Sequence, residues 1–72
     1  MATPPIALGQ RFRDVRVGLF GRQSSIWIVD ELFVGRDHID YARLVCASDP
    51  SERKTLSLAV LRDPRRFVIV EK

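Results

Sequence analysis

Seventy-two residues suffice for one small domain and exclude a second, and a chain of this size buries only about 60% of the surface its unfolded form exposes. Apolar residues at 46% and charged residues at 29% exclude a disordered chain, the single cysteine excludes an internal disulfide, and no apolar run approaches the ~18 residues that cross a bilayer as a helix. Twelve Lys and Arg against nine Asp and Glu give a formal charge of +3, which permits polyanion binding without requiring it.

Residues 1–8, MATPPIAL, read as a flexible leader, because Pro4 and Pro5 cannot donate to a sheet ladder and favour extended, solvated backbone. No basic segment precedes an apolar run, so neither a secretion signal nor a membrane anchor is expected. A lone thiol fits a reducing, cytoplasmic setting. The folded domain is expected over residues 9–72, with structure beginning near Gly9.

From Gln10 to Val17 an imperfect alternation sets Arg11, Arg13, Val15 and Val17 against Phe12, Asp14 and Arg16, the pattern of an edge-type strand. Gly18 to Ser25 collects turn residues and reads as a loop. Ser25 to Val34, SIWIVDELFV, is the strongest strand signal, rich in β-branched and aromatic residues. Strict alternation would leave an acid among apolar neighbours on each face. A bulge at Asp30 and Glu31 resolves this, so that Trp27 and Val29 share the inner face with Leu32 and Val34.

Gly35 to Asp40 is a polar turn, and Tyr41 to Ser48 a third strand with Ala42, Leu44 and Cys46 on one side. Asp49-Pro50-Ser51-Glu52 has the chemistry of a type I turn. Arg53 to Leu58 returns as a fourth strand with Leu56 and Leu58 inward and Lys54, Thr55 and Ser57 at its polar positions. Ser57 caps a turn over Leu58 to Arg62, which Pro64 stops, and five residues suit a 3₁₀ turn. Phe67 to Val70 closes the set as a fifth strand.

Strand, loop, strand, turn, strand, hairpin, strand, 3₁₀ turn, strand is the order of small SH3-like and Tudor-like barrels. The tract KTLSLAVLRDPRRFVIV, Lys54 to Val70, resembles the end of such barrels, and the chain looks like a small bacterial protein of that architecture. The resemblance implies an all-β, five-stranded SH3-like barrel with one 3₁₀ turn before the last strand. It also implies binding to peptides, modified side chains, nucleic acid or ribosomal partners, without choosing among them.

An aromatic cage for a methylated cation needs three or four rings at one end of the barrel. Phe12, Phe20, Trp27, Phe33, Tyr41 and Phe67 are mostly required for a core. His38 reads as an exposed loop residue, Cys46 as a small apolar core residue, and Trp27 as the core anchor. No catalytic constellation, metal site or cofactor is expected, so the chain reads as a non-enzymatic binding module.

The bases carry the functional reading. First and last strands are commonly neighbours in such barrels, which would bring Arg11 and Arg13 near Arg65 and Arg66, with Arg53 and Lys54 as a second cluster. Single-stranded RNA or another polyanion is the first candidate ligand. The alternative is a protein partner or a homodimer formed through the exposed edge of the first strand or the apolar tract Phe67 to Val70.

Overall fold

The computed structural model describes residues 6–15 and 26–70. Its elements in chain order are β1 (Arg11–Asp14), β2 (Ile26–Val34), β3 (Asp40–Cys46), β4 (Arg53–Ser57), α1 (Leu58–Leu61) and β5 (Phe67–Val70). All five strands join one antiparallel sheet in the order β4-β3-β2-β1-β5, curled into a half-barrel compatible with an SH3-like barrel. No helix among the described residues is long and apolar enough to cross a membrane. The expected loop from Gly18 to Ser25, and the end of the first strand at Arg16 and Val17, lie outside the described residues.

β2 needs its bulge. Trp27 pairs with Cys46 and Val29 with Leu44, and the register then shifts by one residue so that Glu31 meets Arg43 and Leu32 meets Ala42. The shift keeps Trp27, Val29 and Leu32 on the concave face and lets Glu31 leave it, as the expected bulge requires. Burial does not follow the face along its whole length. Leu32 is 37% exposed and Val34 62%, because β1 pairs only with Ile26 to Ile28 and the far half of the β2–β3 hairpin projects past the core.

The core gathers Ile6, Phe12, Trp27, Val29, Ala42, Leu44, Cys46, Leu61 and Phe67, so each strand but β4 contributes a fully buried side chain. Ile6 corrects the expectation that order starts near Gly9. It is apolar enough to be drawn inside, and the Gly9 N–H anchors the segment on the Val29 carbonyl at 2.9 Å. Residues 1–5 lie outside the described residues.

Between β4 and β5 the chain makes one helical turn, capped by the Ser57 hydroxyl, which accepts from the Val60 N–H at 3.3 Å. Leu58 starts this turn instead of ending β4. The Arg62 N–H reaches the Leu58 carbonyl four residues back at 3.0 Å, so the turn is α-type where a 3₁₀ turn was expected, with a three-residue bond from Asp63 to Val60 at its end. The α geometry turns Leu61 into the half-barrel, where it is 1% exposed.

One expectation about edges is overturned. β1 is flanked by β2 and β5, so its backbone is paired on both sides and offers no free edge. Among the described residues, the open edges of the sheet belong to β4 and β5.

The β2–β3 hairpin is closed by side chains. Asp37 accepts from the Ile39 N–H at 3.1 Å and from the Tyr41 hydroxyl at 2.6 Å, and His38 turns the chain with a φ of 64°. A Cβ on Gly35 would sit 2.6 Å from the Tyr41 ring, so only glycine lets the ring close over the turn. The Tyr41 hydroxyl, with the Ile39 N–H second, holds the Asp37 carboxyl below its ordinary value.

Two measurements follow. Leu61→Ala removes the plug that the helical turn inserts, and unfolding by urea should show a loss of about 2–5 kcal/mol, against under about 1 for Leu32→Ala at its half-exposed site. A depressed folded pKa means that Asp37 stabilises the fold above the ordinary aspartate range near pH ~4, and that this contribution is lost as pH falls through the lower folded value. Tyr41→Phe should therefore lower the urea midpoint at neutral pH, and the gap from the parent should narrow at about pH 2.

Candidate functional site

Alternation along the strands sorts the basic residues onto two faces. On β1, Phe12 is buried at 2%, which forces Arg11 and Arg13 outward onto the convex face. Arg13 stands opposite Val68 of β5, and the Val15 N–H donates to the Arg66 carbonyl at 2.8 Å. Arg66 is therefore opposite Val15 and diagonal to Arg13, at the ~7–8 Å spacing of diagonal neighbours in a sheet. The pairing of first and last strands does bring Arg11, Arg13 and Arg66 onto one surface.

Arg65, next in sequence, does something else. Its backbone N–H and its guanidinium both bind Asp63, with Nε 3.2 Å from Oδ1 and Nη2 3.3 Å from Oδ2. These bonds hold the Asp63 carboxyl below its ordinary value. The side chain is 88% exposed, so the fork locks the Asp63-Pro64 turn at the surface and stands outside the convex arginine row.

Arg53 and Lys54 separate as completely as adjacent strand residues can. Arg53, opposite Val45, faces outward on β4, while Lys54, opposite the buried Leu44, faces inward. The Lys54 ammonium lies 4.0 Å from the centroid of the Trp27 ring and 5.2 Å from that of Phe67, and 3.8 Å from Asp14 Oδ2. Expected among the polar positions of β4 and in a basic cluster with Arg53, it instead roofs one end of the core, its stem on apolar surface and its charge on ring faces.

Arg43, absent from the sequence candidates, belongs to the convex face, as its alternation with Tyr41 and Val45 dictates. It is diagonal to Arg53 across β3 and β4 and is held by Glu31 at 3.0 Å. Arg11, Arg13, Arg53 and Arg66 make no ion pair among the described residues. Half-buried Ile26, Ile28, Val45, Val68 and Val70 lie between these arginines, and Phe33 and Tyr41 stack at 5.7 Å at the hairpin end of the same surface. Trp27 stays inside, 8% exposed, its indole N–H without a hydrogen-bond partner among the described residues.

Cys46 is buried, with its sulfur 3.4 Å from the Ser48 hydroxyl, and His38 is exposed on its turn. Among the described residues no three His, Cys, Asp or Glu side chains cluster to hold a metal ion. Compared with known protein families, curated proteins and solved structures, the chain matches none.

The inward position of Lys54 is testable through stability. Lys54→Met keeps the packed stem and should change the urea midpoint little, within about 1 kcal/mol. Lys54→Glu sets a second carboxylate beside Asp14 and against the negative faces of two rings, and should destabilise clearly more. Equal effects from the two variants would place the ammonium in solvent.

Proposed function

We propose that this chain is a non-enzymatic binding module of SH3-like architecture that holds single-stranded RNA, or a polyanion of similar phosphodiester chemistry, on the convex face of its sheet. The observation that carries this reading is the row of arginines free of ion pairs among the described residues: Arg11, Arg13 and Arg66 across β1 and β5, with Arg53 on β4. Guanidinium forks match phosphate oxygens in pairs, and four of them on one rigid sheet offer phosphates fixed positions.

Spacing supports an extended ligand. Arg11 and Arg13 are two strand residues apart, roughly 6–7 Å, and β4 lies three strands from β1, about 14 Å along the sheet. On the same face Glu31 is already paired with Arg43, and Asp63 is forked by Arg65. The half-buried aliphatic residues between the arginines and the Phe33–Tyr41 stack give bases an apolar surface to lie on. Lys54 and Arg65 take no part, since Lys54 is on the concave face and Arg65 is forked on Asp63.

The test is fluorescence anisotropy of a labelled single-stranded RNA across a salt series, because Trp27 is buried on the opposite face and reports the core. Four neutralised phosphates should give a slope of log K against log salt of about −3, and each arginine removed from the row should flatten it by about 0.7. Arg13→Gln with Arg66→Gln should therefore weaken binding at low salt and reduce the slope by about 1.4, while Arg65→Gln should leave both nearly unchanged. RNA binding that ignores the double variant, or no binding at low salt, would sink this reading.

A further inference from the structure

β5 ends the sheet, and the phase of its pairing decides which backbone groups are left over. The bond from Val15 to the Arg66 carbonyl makes Arg66, Val68 and Val70 the residues that face β1, so Phe67 and Ile69 face away. The Phe67 N–H is taken by the Asp63 carbonyl at 3.0 Å. What remains on the open edge is the Phe67 carbonyl and both backbone groups of Ile69, none with a partner among the described residues, and Ile69 is 47% exposed.

Beside this edge lies an apolar groove of about 250 Å³. Ile6, Phe12, Leu61 and Pro64 line it, the Ile69 side chain borders it, and Gln10 and Arg62 are its polar members. An open strand edge beside an apolar groove is the geometry in which an extended peptide adds a strand, main-chain bonds giving affinity and alternate side chains entering the pocket. The β4 edge lacks the second half of this arrangement, since no residue of β4 lines the groove.

We infer that the β5 edge and its groove accept an extended segment of another protein, apolar at alternate positions and acidic at its flank. Charge decides the occupant. Arg62, a polar member of the groove, makes no ion pair among the described residues, so an acidic flank is matched there.

The experiment selects peptides from a random heptapeptide display library on the full chain, then measures the synthesised winners by amide exchange and anisotropy. Enrichment of alternating apolar residues with Asp or Glu at one end is expected, with the Ile69 amide exchanging at least tenfold more slowly in the complex and the Val68 amide, already bonded to β1, unchanged. Arg62→Glu should weaken the selected peptides at least tenfold. Ile69→Pro removes an outward N–H without breaking a β1 bond and should abolish binding; if it unfolds the chain, the exchange pattern of the parent decides alone. No enrichment, enrichment of basic or proline-rich sequences, or protection elsewhere would overturn the proposal. So would sedimentation of the parent as a dimer with Ile69 already protected, which would make a second copy the occupant.

Discussion

Everything in this half-barrel depends on the pairing of β1 with two partners at once. Its four residues sit between β2, some fifteen positions away, and β5, more than fifty positions away, and their backbone groups alternate between the two. Phe12 bonds towards Trp27 while Arg11 and Arg13 bond towards β5. Curling one sheet around Phe12, Leu44 and Leu61 is how this short chain encloses a core, and the long-range β1–β5 ladder holds the curl. Such non-local pairing costs loop-closure entropy before any contact repays it, and the β1–β5 ladder closes the longest loop in the sheet.

The same ladder determines what the surface presents. Because it is antiparallel and in a fixed phase, it sets Arg66 diagonal to Arg13 and leaves the outward backbone of Ile69 unpaired among the described residues. The convex arginine face and the open edge beside the groove are therefore two consequences of one register. A shift of one residue would turn Phe67 outward, carry Val68 into the core and exchange the backbone groups presented to solvent. Little else in the chain is so sensitive.

Lys54 shows how a small core meets its polar requirements. The curl leaves an end of the barrel where ring faces of Trp27 and Phe67 meet the carboxylate of Asp14, and a long cationic side chain suits that place better than an aliphatic one. Its ammonium keeps partial access to water while its stem covers apolar surface. Arg65 and Asp63 play a corresponding part in the turn before β5, where one guanidinium satisfies both carboxylate oxygens. Both bases serve the fold, although their neighbours Arg53 and Arg66 face the solvent.

Local chemistry determined the elements. The β-branched run from Ile26, the acids that demand a bulge, the Asp-Pro turn at Asp49, the Ser57 cap and the segment Phe67 to Val70 all act within a few residues, so they are legible in the amino-acid order alone. Alternation also separated inward Ala42, Leu44 and Cys46 from their outward neighbours. What it could not settle is where each face ends, whether a position facing inward is covered, and which neighbour completes it. Leu32 and Val34 face the concave side yet stay exposed, Ile6 precedes the first strand yet is buried, and Lys54 lies inside because rings from β2 and β5 converge on it. These outcomes depend on contacts between residues far apart in the chain, and only the closed sheet, with its β1–β5 register, decides them.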